Sequence, residues 1–206
     1  MSTTNIFMKA ISSLTPRKYN LQRKDITGWD ESYLILSEMV AMLRSKDPST
    51  QVGSFIADAE HKPISFGYNG SPAGWPDDEF PWGKTSDDEI ETKYPFVVHS
   101  ERNCILNSPK PIPKGCTLYV SLFPCNNCAQ EIAQSGIKRL VYRERREGIN
   151  TDESDLILKY AGVECIQMPP LNVIRLIKLI ITWSGMKTKD VIKQLVSNDS
   201  DDSKEN

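Results

Sequence analysis

Val98-His99-Ser100-Glu101 and Pro124-Cys125-Asn126-Asn127-Cys128 bound the stretch on which the reading of this chain turns. The first is an H-x-E pattern and the second is P-C-x-x-C. Together they offer one imidazole and two thiols, a three-ligand set for zinc. A catalytic zinc keeps three protein ligands and leaves its fourth position for water. Glu101, two residues past His99, is then free to handle protons. Alone, the C-x-x-C also reads as a redox pair, as half of a structural zinc site, or as chance. A structural site wants a second pair of Cys or His ligands. Cys104 and Cys116 lie too far apart to form one. The other of the chain's two histidines, His61, falls in Ala59-Glu60-His61-Lys62-Pro63, which reads as a hairpin turn. His99 is therefore the better third ligand.

Working outward, 206 residues fit one domain with extensions. A hydrophobic fraction of 39% with 25% charged residues suits a globular protein with a sizeable core. A formal net charge of -2 supplies no global basic field, so nucleic acid is not an expected partner. Five cysteines, two of them assigned to metal, leave an odd remainder that suits free thiols in a reducing cytosol. The start lacks a basic segment followed by an apolar run, and no apolar run reaches membrane-spanning length. A cytoplasmic protein with no membrane partner is expected, and the N-x-[ST] triplets at Asn69 and Asn198 are not read as glycosylation sites.

Residues 1–27, basic through Arg17, Lys18, Arg23 and Lys24, read as a flexible arm. Asp30 is placed to cap a helix whose apolar residues Tyr33, Leu34, Leu36, Met39, Val40 and Leu43 recur at helical spacing. Pro48 stops it near Lys46. Gln51 to Asp58 and Ile64 to Tyr68 read as an antiparallel hairpin. The stretch from Gly67 to Pro76 is dense in Gly and Pro and reads as a loop whose backbone can approach a ligand closely. Asp77 to Tyr94 is a long acidic insertion, a lid or a plain surface excursion. Its Gly83-Lys84-Thr85 resembles the tail of a phosphate-binding loop, but the required leading glycine is Asp78, so that motif is rejected.

A helix is expected from His99 to about Asn107, and Pro109, Pro111 and Pro113 then force an extended connector. Thr117–Leu122 reads as a strand. A helix begins at Pro124-Cys125 and ends at Gly136. Lys138–Tyr142 is the next strand, Asp152–Tyr160 a helix ended by Gly162, and Val163–Met168 the last strand. The order α-β-β-α-β-α-β-α-β implies an α/β domain over 28–170, a mixed five-stranded sheet between helical layers. Leu171 to Trp183 is amphipathic, a C-terminal helix expected over 171–190 that packs on its own domain or on a second subunit. Residues 191–206 read as a disordered tail.

Both halves of the proposed metal site fall at helix starts, where the positive helix end favours thiolate. Glu101 would carry the proton between zinc-activated water and an aminopyrimidine ring. H-x-E with P-C-x-x-C is the pattern of zinc deaminases that act on nucleobases. Further stretches resemble the deoxycytidylate (dCMP) deaminase family. They are Arg44 to Gly53, Gly67-Tyr68-Asn69-Gly70-Ser71-Pro72, Lys93-Tyr94-Pro95, Leu122 to Asn126, and Ala133 to Lys138. The resemblance covers roughly Trp29 to Met168.

That resemblance implies a three-layer α-β-α cytidine-deaminase-like fold and hydrolysis of dCMP to dUMP and ammonia, feeding thymidylate synthesis. It implies zinc on His99, Cys125 and Cys128, Glu101 as proton carrier, and a homo-oligomer, usually a hexamer. It also implies dCTP and dTTP as effectors, the latter with Mg2+. By analogy Asn69 bonds the sugar, the backbone at Ser100 contacts the base, and Asn69 with Gly70 belongs to the effector region. Ser100 stands where the family usually has alanine, and Arg102 where it often has an apolar residue. Arg143-Glu144-Arg145-Arg146-Glu147 replaces an aromatic that relatives often place near substrate. Such a run is a solvated segment by default, with Arg145 or Arg146 the alternative, as a phosphate clamp. Rival functions are deamination of dCTP, cytidine or an RNA base, and a nucleotide-sensing zinc module without catalysis.

Overall fold

The computed structural model describes residues 26–146, 151–172 and 181. Apart from the few of these that they include, the arm over 1–27, the helix over 171–190 and the tail over 191–206 lie outside the described residues.

Helix α1 spans Trp29–Arg44, strands β1 and β2 span Gly53–Ala57 and Pro63–Tyr68, and helix α2 spans Ser100–Leu106. Strand β3 (Thr117–Leu122), helix α3 (Asn126–Ser135), strand β4 (Arg139–Glu144), helix α4 (Thr151–Tyr160) and strand β5 (Glu164–Gln167) follow. The sheet order is β2-β1-β3-β4-β5. β1 runs antiparallel to both neighbours, while β3, β4 and β5 are parallel. This is the mixed five-stranded sheet that the alternation of elements implied.

The period-2 alternation of strands sends successive side chains to opposite faces. On one face Ile56, Leu118, Val120, Leu140 and Tyr142 join Cys104 of α2, Ala129 and Ile132 of α3 and Leu158 of α4 in the larger core. On the other, Ala57, Tyr119 and Val141 meet Tyr33 and Leu34 of α1. Burying such side chains contributes roughly 1.5–3 kcal/mol apiece.

Two glycines set how closely the helices approach. A Cβ at Gly53 would lie 1.9 Å from the Ser37 carbonyl oxygen of α1. One at Gly67 would lie 2.4 Å from both the Ser100 carbonyl oxygen and the Cys104 amide nitrogen of α2. Gly67 therefore lies in β2 with its bare face against a helix. This is the strand expected from Ile64 to Tyr68, and the loop dense in Gly and Pro begins only after Tyr68.

Two other expectations are corrected. Gly28, not Asp30, occupies the N-cap of α1, without a side-chain cap. Asp30 sits in the first turn and accepts two 2.7 Å bonds from the Arg139 guanidinium, with the Tyr119 hydroxyl donating at 3.2 Å. A bidentate charged partner outbids a single backbone N–H. Arg139 holds the Asp30 carboxyl below its ordinary value, against its burial. Arg143, expected in a solvated run, is buried at the end of β4. It donates to Glu38 at 2.7 Å and Glu31 at 3.2 Å, both on α1.

Candidate active site

His99 is the N-cap residue of α2, in extended conformation. The backbone bridge between Gly70 and Val98, with N···O distances of 3.1 and 2.9 Å, fixes the residue before it. Cys125 is the N-cap residue of α3, and Cys128 lies buried in the first turn of that helix. Parallel pairing of β3 with β4 and the approach of α2 to α3 bring the two helix starts together. The His99 Nδ1 atom lies 3.5 Å from Cys125 Sγ and 3.3 Å from Cys128 Sγ. Ligand atoms about 2.0–2.3 Å from a tetrahedral zinc stand roughly 3.3–3.8 Å apart, so this spacing fits that ion. Among the described residues this is the group of His, Cys, Asp and Glu side chains close enough to share a metal.

The electrostatics agree with the geometry. The Cys128 thiol and then the His99 ring hold Cys125 as thiolate, at a pKa of about 3, against its burial. Cys128 is pushed far up because it keeps the proton the two sulfurs share, and because it is buried. The Cys125 sulfur likewise lifts the His99 imidazole, against the effect of burial.

Glu101 follows in the first turn of α2, only 3% exposed. Burial lifts its carboxyl above the ordinary range, with His99 opposing. Such a shift suits a group that must both take and give a proton near neutral pH. The Ser100 hydroxyl donates to Glu101 Oε2 at 2.9 Å.

His99, Ser100, Glu101 and Cys125 line one cavity of about 250 Å³, together with Asn69 and Arg146. The profile of the cytidine and deoxycytidylate deaminase zinc-binding region matches residues 27–144. The chain belongs to the cytidine and deoxycytidylate deaminase family. The deoxycytidylate deaminase of Mus musculus is 38% identical over 170 residues, covering 82% of this chain and 93% of that protein. The Homo sapiens deoxycytidylate deaminase is 37% identical over 171 residues, again covering 82% and 93%. A crystal structure of dCMP deaminase from the cyanophage S-TIM5 in complex with dCMP and dUMP superposes with a TM-score of 0.54 at 26% identity. It covers 72% of this chain and 100% of that one.

In this deaminase the Asn69 amide is fully engaged by the protein. Its Oδ1 accepts from Ser45 Oγ at 2.7 Å and the Val52 amide at 2.9 Å. Its Nδ2 donates to the Thr50 carbonyl at 2.8 Å and to Asp47 Oδ2 at 3.3 Å. Gly70 is bridged to Val98, and neither residue is among those that line the cavity. Of the two candidate arginines, Arg146 reaches the cavity. Arg145 pairs with Asp155 and lies 4.4 Å over the Phe123 ring. Arg102 is turned outward to Glu131, with Nε 2.7 Å from its carboxylate.

Lys84, Lys93, Tyr94 and Asp47 also line the cavity, and sequence reasoning had not singled them out for it. Through Lys84, Lys93 and Tyr94 the acidic insertion is part of the site wall. Within it the Phe80 and Trp82 ring centroids are 4.5 Å apart, and Phe80 also packs 5.2 Å from Trp75 of the preceding loop. The signals in the sequence were the family-like stretches Arg44 to Gly53 and Lys93-Tyr94-Pro95, and the lysine of the rejected Gly83-Lys84-Thr85 motif.

Proposed function

We propose that this chain is a zinc-dependent deaminase that hydrolyses dCMP to dUMP and ammonia, and so supplies the dUMP used for thymidylate synthesis. The observation that carries this is the convergence of His99, Cys125 and Cys128 beside the buried Glu101 carboxyl, on a cavity whose wall also holds Lys84 and Arg146. Deoxycytidylate deaminases of mouse and man, alike over most of their length, support the choice of substrate.

His99, Cys125 and Cys128 would hold the metal. Zinc on three protein ligands lowers the pKa of a bound water to about 7 and so makes a nucleophile available at neutral pH. Glu101 takes the proton from the attacking water on a carboxylate oxygen. As the water oxygen bonds to C4 of the cytosine, Glu101 delivers that proton to ring N3. The remaining hydroxyl proton passes through Glu101 to the exocyclic amine, the C4–N4 bond breaks, and ammonia leaves with the base as uracil. General acid–base transfer of this kind contributes roughly a hundred- to ten-thousand-fold.

The backbone at Ser100 would contact the base, and Asn69 would set the wall against the sugar, its amide held by Ser45, Val52 and Thr50. Arg146 and Lys84, which line the cavity, would bind the 5′ phosphate. A hexameric, cytosolic enzyme regulated by dCTP and by dTTP with Mg2+, through the region of Asn69 and Gly70, belongs to the same proposal. The family resemblance of the Asn-Gly loop supports that part. In domain terms the same proposal takes 28–170 as the deaminase unit, with the segments 1–27, 171–190 and 191–206 flanking it.

Ammonia release from purified protein tests this, with dCMP, cytidine, dCTP and an oligonucleotide offered in turn, each with and without dCTP and dTTP as effectors. The expected outcome is dCMP turnover well above the others. Preferred turnover of dCTP or cytidine would replace the substrate while leaving the chemistry. Nucleotide-dependent assembly without ammonia release would favour a sensing module.

A further inference from the structure

The Ser100 hydroxyl is fully buried, and so is that of Ser54 on β1. The two oxygens are 2.7 Å apart. A serine hydroxyl has a single proton to give. Ser100 gives its proton to Glu101 Oε2, at 2.9 Å. The direction of the remaining bond follows: Ser54 donates to Ser100, and Ser100 donates to Glu101. The chain of bonds is anchored at both ends by backbone. Ser54 lies in a strand paired on both sides. The first turn of α2, where Ser100 and Glu101 sit, is pressed against Gly67 of β2.

A carboxylate on a flexible side chain samples several rotamers, and a proton carrier must stay within hydrogen-bond reach of the reacting atoms. Aligned hydroxyls polarise one another, so a donor that is itself a recipient binds a carboxylate more firmly. We propose that Ser54 and Ser100 form a hydroxyl relay that positions the Glu101 carboxylate, Ser100 directly and Ser54 through Ser100. They are positioning residues. This inference rests on the reading of Glu101 as the proton carrier. It assigns the Ser100 side chain a task separate from the base contact proposed for the Ser100 backbone.

The test compares Ser100→Ala, Ser54→Ala and the double variant with the zinc-loaded wild type, measuring kcat, KM for dCMP, zinc content and melting temperature. Ser100→Ala is expected to lower kcat by about tenfold, the scale of a hydrogen bond to a charged group. Ser54→Ala is expected to lower it by about threefold, because its effect passes through a retained bond. KM should stay within about twofold, and zinc content should not change. The double variant should be no slower than Ser100→Ala, because Ser54 has no other route to Glu101. A kcat for Ser100→Ala within about twofold of wild type would overturn the proposal. So would a rise in KM at constant kcat, loss of zinc in step with activity, or an additive double variant. Should Ser54→Ala fail to fold, Ser100→Ala still decides. Glu101→Gln separates the two levels: its inactivity leaves the serine variants to judge the relay, while its activity would remove the proton carrier itself.

Discussion

Lys93, near the end of the acidic insertion, forms an ion pair with Asp47, in the turn that follows α1, and both are almost wholly buried. Asp47 also accepts from the Ser49 amide at 2.9 Å and the Ser49 hydroxyl at 2.8 Å, and its second oxygen receives the Asn69 amide. The pair therefore ties the insertion to the loop that carries Asn69. Removing one partner of a buried pair leaves the other charge without compensation and costs roughly 3–5 kcal/mol. Lys93→Met and Asp47→Asn should each destabilise the protein on that scale in urea denaturation. Both should also raise KM for dCMP, since both residues line the cavity.

The same pair predicts a pH dependence. Burial pushes the Asp47 carboxyl up, but Lys93 and the Ser49 donors outweigh it and hold the group below its ordinary value of 3.8. A depressed folded-state value means that the stabilisation is fully present above about pH 4, where the unfolded chain is also ionised. It is lost as pH falls through the lower folded-state value. The stability gap between wild type and Asp47→Asn should thus be largest near neutrality and shrink below about pH 4. A gap that is unchanged in acid would mean that the carboxylate charge is not what the variant removes.

Metal and catalysis should separate cleanly by residue. His99→Ala and Cys128→Ser each delete a ligand atom of the group that shares the metal position. They should lose zinc and ammonia release together. Glu101→Gln keeps all of those ligand atoms. It should bind zinc normally while kcat falls by at least about a hundredfold. Elemental analysis beside the activity assay checks both, and retained turnover in Glu101→Gln would exclude the proton shuttle.

Arg146 and Arg145 are adjacent in sequence but differ in what they touch. Arg146 opens onto the cavity, whereas Arg145 is committed to Asp155 and to the Phe123 ring. Arg146→Ala should raise KM for dCMP by roughly tenfold, the loss of a charge-assisted bond to phosphate. Turnover of cytidine, which lacks the phosphate, should be untouched. Arg145→Ala should alter stability more than KM. An unchanged KM for dCMP in Arg146→Ala would rule out the clamp.

The zinc site was legible in the sequence because its pieces are local. A histidine and a glutamate two residues apart stay neighbours on any helix start, and Cys125 and Cys128 share one turn. The sheet was legible too, since alternation of strand and helix constrains its pairing. Arg143 was not, because its partners Glu31 and Glu38 lie more than a hundred residues away, on α1. Asp30 had the composition of a cap, and only the fold brings Arg139 to it. Lys84 and Lys93 belong to a segment with neither helical nor strand periodicity. Lys93 is directed by its pair with Asp47, 46 residues away, which no local pattern announces.

The glycines give a prediction in which location, not chemistry, decides the outcome. Alanine at either Gly53 or Gly67 would force a Cβ against helix backbone, at 1.9 Å from Ser37 or 2.4 Å from Ser100 and Cys104. Backbone cannot rotate away as a side chain can, so the helix must shift, at a cost of roughly 1–3 kcal/mol or more. Gly53→Ala displaces α1, which packs on the face of the sheet away from the metal ligands. Gly67→Ala displaces α2, which begins at His99 and carries Ser100 and Glu101. Both variants should melt at lower temperature. Measured well below those melting points, Gly53→Ala should keep nearly the wild-type kcat, whereas Gly67→Ala should lose at least about tenfold, since a misplacement of about 1 Å at a reacting group is worth a hundredfold. Equal loss of activity in the two would mean that global stability, not the placement of α2 on β2, governs the site.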